Sequence, residues 1–98
     1  MDQYPLAKHF DEVALIMKEQ KSLKSTPSTD DLKTVYGLFK QANIGDVNTE
    51  RPGFFDMTGK AKWDAWESFK GTPQEAAKNR YVEFCRKFMN DEIAAKFN

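Results

Sequence analysis

Apolar residues recur at helical spacing through four stretches of the chain. From about Tyr4 to Leu23, the residues Leu6, Phe10, Val13 and Met17 step by three or four, with Ala14 and Ile16 beside them. That pattern predicts a first helix, closed by Leu23 and ended by Lys24-Ser25-Thr26-Pro27, because a residue before proline is pushed out of the α region. Ser28 then reads as the N-cap of a second helix. Its Ser-x-x-Asp spacing to Asp31 resembles a capping box, and Asp30 adds negative charge where the helix dipole favours it. Leu32, Val35, Tyr36, Phe39 and Ala42 form its buried stripe, and Gly45 is its expected stop.

Residues 45–57 follow neither helical nor strand periodicity and contain Gly45, Asp46, Asn48, Pro52 and Gly53. This is a long loop for a small protein, and such loops are more often functional or self-packed than idle. Phe54, Phe55 and Met57 are expected to tuck onto the bundle. Thr58 is placed as the cap of a short third helix over about Gly59–Phe69, ended by Gly71. Thr72-Pro73-Gln74-Glu75 reads as cap, first helical position and capping-box glutamate of a fourth helix. Ala77, Tyr81, Phe84 and Phe88 share one of its faces with Cys85 beside them, and it is expected to run on through Ile93–Phe97 after a break near Asn90-Asp91. The fold class is all-α, a four-helix bundle, with residues 1–98 as a single domain.

Composition narrows the function. At 98 residues, with 40% hydrophobic and 31% charged side chains, the chain reads as globular. A chain of this size buries about 60–65% of its unfolded surface. The longest apolar run, Val13–Met17, is far short of a membrane span. The first ten residues carry Asp2, Lys8 and His9 without an apolar run, so no secretory leader is expected. Cys85 is the single cysteine, which favours a reducing, cytoplasmic setting. A formal net charge of zero argues against general nucleic-acid binding and leaves room for a local basic patch.

Catalysis has little to work with. His9 is the single histidine, so no His/Cys cluster exists for zinc, and a Cys85–His9 nucleophilic pair requires opposite ends of the chain to meet. The thiol beside Phe84 and Phe88 is more simply a buried structural group. No Gly-rich phosphate cradle is present. The reading is a binding protein, not an enzyme.

Rings beside lysines are the chemical signal. Tyr36, Phe39 and Lys40 sit at i, i+3 and i+4, while Lys62 and Trp66 are i, i+4 neighbours with Trp63 one step round. A ring stacks on a base and an ammonium neutralises a phosphate, so the set suits a flat anionic ligand. From spacing alone the bland reading is the stronger, since aromatics at helical spacing are usually core and lysines usually solvated. A helical protein-interaction module using the same surface is the competing class. A lipid-surface role wants a continuous basic amphipathic face, whereas the first helix mixes Asp11, Glu12 and Glu19 with its lysines.

The strings YGLFKQA (from Tyr36) and NTERPGFFDMTGKAKWDAW (from Asn48) resemble the acyl-CoA-binding proteins, whose hallmark is YxxYKQA followed by GDxNxxRPGxxDxxGKAKWxAW. The resemblance runs from about Phe10 to Phe88. It implies an up-down-down-up bundle that carries long-chain acyl-CoA thioesters without turning them over. It further implies a monomer that needs no cofactor or metal, inserts no stable membrane segment and passes its ligand transiently to acyl-CoA-using enzymes. Matched by motif position, Tyr36 and Lys40 correspond to residues that contact the coenzyme A phosphates and adenine region. Lys62 corresponds to the lysine at the ribose 3′-phosphate, and Tyr81 to the fourth-helix tyrosine against the nucleotide. Lys21 sits where the family often has another ligand-proximal lysine, and Lys60 adds to the basic patch without direct contact. Trp63 and Trp66 are assigned to packing between helices. Phe39 stands where a second tyrosine is common, so stacking survives and one hydroxyl is lost. Thr58 replaces a frequent lysine, which thins the basic rim.

Overall fold

In a computed structural model, described over residues 3–98, four α-helices carry the fold: α1 Phe10–Glu19, α2 Thr29–Ile44, α3 Met57–Glu67 and α4 Gln74–Arg86. A 3-10 turn, Ala7–His9, leads into α1, and a short α5, Asp91–Ala94, followed by a turn at Ala95–Phe97, completes the chain. Asp2, counted with Lys8 and His9 against a leader, lies outside the described residues.

Directions follow from which ends meet. Gln74 at the start of α4 donates to Ala42 O near the end of α2, and Lys87 just past α4 pairs with Asp31 at the start of α2. These two helices are therefore antiparallel. At the start of α3, Met57, Thr58 and Ala61 face Thr29 and Leu32, while Trp66 near its end donates to Gly45 O, so α3 runs parallel to α2. The turn before α1 bonds to Asn79 through Leu6 N, and Leu23 bridges to Met89, which sets α1 parallel to α4. The order is up-down-down-up. Two successive helices in one direction need a connection that runs back along their length, which explains the long 45–56 loop.

Phe10, Val13, Leu38, Ala42, Ala77, Tyr81, Val82, Cys85, Met89 and Phe97 form the core, drawn from α1, α2, α4 and the C-terminal turn. Gly37 lets α2 approach α3: a Cβ there would lie 2.8 Å from the Ala65 carbonyl carbon and from the Phe69 ring. Ser28 makes its capping box, accepting from Asp31 N at 3.1 Å while Asp31 accepts from Ser28 N at 3.3 Å, and Gly45 ends α2 at φ +96°. The expected break before the tail is real, with Asn90 capping α5 through Ile93 N.

Four local expectations are corrected. The first helix does not reach Leu23; it stops at Glu19, where Gln20 turns left-handed (φ +56°) and its N–H closes on Ile16 O. Leu23 instead pairs with Met89, framed by Lys24 N to Phe88 O and Asn90 N to Ser22 O, which keeps it against the core without a helix. Helix α3 is capped by Asp56, not Thr58, because the carboxylate reaches Gly59 N at 2.9 Å and glycine leaves it room. Helix α4 starts one residue later than expected, with Pro73 at the cap position and no side-chain cap bond. Thr72 N donates to Phe69 O and Thr72 O is taken by Gln41 Nε2, while Glu75 pairs with Lys78 within α4, so both backbone groups of the expected cap are already engaged and the box does not form. Lastly, Phe54, Phe55 and Met57 do not tuck in but project outward.

The loop is held by polar bonds, not by those rings. Asp46 Oδ1 accepts from Gln41 Nε2 and Gly71 N, Trp63 Nε1 donates to Thr49 O, and Arg51 grips Asp64 through two 2.9 Å bonds. Much of the motif between Gly45 and Trp66 is thus occupied in fastening the loop to α3 and to the α3–α4 turn.

Candidate functional site

Three helices leave an open groove. Its larger limb, about 650 Å³, has Ala14, Leu15, Met17 and Lys18 of α1 on one wall and Leu32, Val35, Tyr36 and Phe39 of α2 on the other. Lys62 of α3 and Tyr81 of α4 complete it, and Asp11 stands at its edge. A second limb of about 390 Å³ lies between α2 and α3, lined by Thr29, Lys33, Met57, Thr58 and Ala61. Leu32, Tyr36 and Lys62 border both limbs, so the two meet there. The larger limb is in the size range of small-molecule sites.

The walls follow from helix periodicity. On α1, Asp11, Ala14, Leu15 and Lys18 are related by three, four and seven, one face beside the buried Phe10–Val13 stripe. On α2, Leu32, Val35, Tyr36 and Phe39 repeat that spacing. Leu15 and Leu32 are about half exposed, at 54% and 51%, so the groove shows apolar surface that the bundle itself does not cover.

Aromatic rings form the base. Phe39 stacks on Phe10 with centroids 5.9 Å apart, Phe10 meets Tyr81 edge-on at 5.0 Å, and Phe39 tilts against Tyr81 at 6.1 Å. Phe39 remains 38% exposed while Tyr81 is 2% exposed. Burial pushes the Tyr81 hydroxyl well above the ordinary tyrosine range, and its neighbour Cys85 adds to the shift. Burial likewise raises the Cys85 thiol to about 12, offset in part by Tyr81. Tyr81 therefore offers the groove a neutral ring and keeps its hydroxyl with the thiol.

Above this base stand cations. Lys62 Nζ lies 5.4 Å from the Tyr36 ring centroid, joining the two residues across α2 and α3. Lys18, Lys33 and Lys62 form no ion pair among the described residues. An apolar floor with unneutralised ammonium groups at its rim suits an amphipathic anion: the tail loses water against the floor and the charged end meets the lysines.

The sequence-predicted residues divide accordingly. Tyr36, Phe39, Lys62 and Tyr81 are brought together at the groove. Lys40 is not; its ammonium rests 4.9 Å from the Trp66 ring centroid, and Trp66 is buried. Lys21 also stands apart, 81% exposed and paired with Glu19 at 3.4 Å. Because α1 ends at Glu19, Lys21 has left the helix face, and Lys18 takes the rim position. The sequence signal for Lys18 was its i+4 relation to Ala14 and i+7 relation to Asp11.

The Acyl CoA binding protein family pattern matches residues 7–85, which includes both walls of the groove and its base. The chain belongs to that family. It is 42% identical over 88 residues to acyl-CoA-binding protein homolog 1 of Caenorhabditis elegans, covering 90% of this chain and 93% of that one. It is equally 42% identical over 89 residues to acyl-CoA-binding protein 2 of Saccharomyces pastorianus, covering 91% and 93%. The crystal structure of ACBP from Moniliophthora perniciosa superposes with a TM-score of 0.75 at 41% identity, covering 92% of this chain and 89% of that one. The family membership and the all-helical bundle expected from the motifs are thereby shown. Among the described residues, no helix is long and apolar enough to cross a membrane, and no group of three or more His, Cys, Asp or Glu is placed to hold a metal.

Proposed function

We propose that residues 1–98 form one acyl-CoA-binding domain that carries long-chain acyl-CoA thioesters. The observation that carries the reading is the groove itself: a largely apolar trough floored by Phe39 and Tyr81 and rimmed by Lys18 and Lys62, neither of them ion-paired among the described residues. Ring and cation are already adjacent at Tyr36–Lys62, where a base can stack and a phosphate can be neutralised. Lys40 and Lys21 enter this reading on the family resemblance alone.

Each end of such a ligand has a distinct role. A buried methylene contributes about 0.8 kcal/mol, so a sixteen-carbon chain offers roughly 12 kcal/mol of gross transfer energy with little discrimination among lipids. Selectivity comes from the head: stacking contributes about 1–3 kcal/mol, and each charge-assisted phosphate bond about 1.5–3 kcal/mol. Immobilisation offsets much of the sum. Binding is non-covalent, so the thioester is shielded, transported and released intact to enzymes that use it. The reading extends to a monomeric cytoplasmic carrier, supported by a single cysteine that is free and buried.

Calorimetric titration with palmitoyl-CoA, palmitate and coenzyme A tests the proposal. Palmitoyl-CoA is expected to bind one to one and far more tightly than either part. Equal affinity for palmitate and palmitoyl-CoA would remove the head-group argument and leave a general lipid binder.

A further inference from the structure

The loop before α3 breaks the rule that turn corners are polar. Gly53–Asp56 is a tight turn closed by Asp56 N to Gly53 O at 3.0 Å, and its two corners are Phe54 and Phe55. The rings are 79% and 95% exposed, meet edge-on at 5.4 Å, and are followed by Met57 at 76%. The core uses none of them. The loop is already fastened through Arg51–Asp64, Trp63–Thr49 and the Asp56 cap, so the rings are not needed to hold it.

We propose that this turn is a docking tip whose two phenylalanines enter the surface layer of an anionic lipid bilayer. Shape and area favour a bilayer over a protein. At 150–250 Å² per ring, Phe54 and Phe55 expose roughly 260–440 Å², about a third to a half of the ~800 Å² that each partner contributes to a standard protein interface. A bilayer asks for no complementary surface, and apolar rings beside cations are the composition that lodges in its interface.

Charge agrees. Lys60 Nζ sits 5.1 Å from the Phe54 centroid, and Lys33 and Lys62 line the adjoining limb of the groove; none of the three is ion-paired among the described residues. Of the nearby carboxylates, Asp64 is held by Arg51 and also feels Lys60, and Asp56 is turned to Gly59 N, which leaves Glu50 and, beside Thr29, Asp30 as exposed countercharges. Placement gives the tip a use. Met57, the residue after the turn, also lines the α2–α3 limb, so a docked tip holds one mouth of the groove at the lipid surface. The contact is peripheral and reversible, since two rings and a few lysines are far weaker than a spanning helix.

Docking requires no ligand, so the test is independent of the proposed function. Ligand-free protein is floated with phosphatidylcholine vesicles, with and without phosphatidylserine. Association is expected with the phosphatidylserine vesicles, weakening with added salt and with Lys60→Glu. It should fall about tenfold or more in the Phe54→Ser/Phe55→Ser variant, the scale of losing buried aromatic surface. That variant should keep its melting temperature and its affinity for palmitoyl-CoA in solution, which separates lost docking from a damaged fold or groove. In Phe55→Trp, the new indole emission should be quenched by lipids brominated on their acyl chains. The proposal is overturned if the double variant floats like the unmodified protein, or if the indole is not quenched. A dimer that the double substitution abolishes, without vesicle association, would assign the tip to a second copy and overturn it equally.

Discussion

Replacing Gly37 with alanine puts the spacing of α2 and α3 to the test, because two effects of opposite sign compete there. In an open helix, Gly→Ala stabilises by about 0.8–1.0 kcal/mol through helix propensity. At Gly37 the new methyl would stand 2.8 Å from both the Ala65 carbonyl carbon and the Phe69 ring, and nearer still to the Ala65 carbonyl oxygen. Ordinary contact begins near 3.4 Å, so the helices must part by about half an ångström or more. The obstruction is largely backbone and has no rotamer to escape into. Overpacking of this kind costs about 1–3 kcal/mol, and the upper half of the range applies where backbone must move. The clash therefore wins, by about 1–2 kcal/mol. For a chain of this size that lowers the melting temperature by roughly 4–8 °C per kcal/mol. Circular dichroism melts give the first readout. The second is affinity for palmitoyl-CoA, which should fall as well, since Tyr36 and Lys62 face each other across the same two helices. A variant that melts higher, as a solvated glycine site would, refutes the close approach and with it the geometry of the α2–α3 limb.

Lys62→Ala should weaken acyl-CoA binding by about 1.5–3 kcal/mol while Lys62→Arg recovers part of the loss; normal binding by Lys62→Ala in a titration would assign the residue to the fold. Lys18→Ala should weaken binding more than Lys21→Ala, because only Lys18 lines the groove; the reverse order would mean that α1 extends further in solution. Phe39→Tyr should leave the melt nearly unchanged and strengthen binding by about 0.5–1.5 kcal/mol, whereas Tyr81→Phe should leave affinity unchanged and lower stability, since its side chain is buried against Cys85. The backbone N–H of Gly71, and then Gln41, hold the Asp46 carboxyl below the ordinary 3.8, so its stabilising contribution is complete above that value and is lost as pH falls through the depressed one. Acid melts of Asp46→Asn should therefore fall less steeply below pH 3.8 than those of the unmodified protein, and identical slopes would deny Asp46 its role in fastening the loop.

The four main helices and their apolar stripes were legible in the sequence because each rests on local periodicity, whereas their up-down-down-up order came only with the family resemblance. The Ser28–Asp31 box was legible for the same reason, since both partners lie within one turn and nothing distant competes for them. Thr72-Pro73-Gln74-Glu75 carries an equally strong local signal and fails. Gln41, 31 positions earlier, claims the Thr72 carbonyl, and spacing within the motif cannot reveal such a competitor. The end of α1 is a similar case: Leu23 closes the apolar stripe on paper, but its pairing with Met89 goes with a chain that leaves the helix at Gln20.

Side-chain depth was harder to read than position. Tyr36 and Tyr81 look alike as tyrosines on helix faces, yet one borders both limbs of the groove and the other is sealed beneath it. The difference lies in what covers each ring. Phe10 and Phe39 close over Tyr81, and the three rings come from three helices that only the tertiary fold assembles. This changes what a substitution can show. Tyr81→Ala would remove a large, almost fully buried ring and cost about 3–5 kcal/mol of stability, so lost binding in that variant would report unfolding as readily as a missing contact. The surface offers the opposite case. Leu15, Leu32, Phe54 and Phe55 are exposed where a stability argument alone would bury them. The two leucines lie on facing walls of the groove, and the two phenylalanines occupy the turn beside its second mouth. A chain that leaves apolar surface uncovered at those places has kept it for something other than its own core.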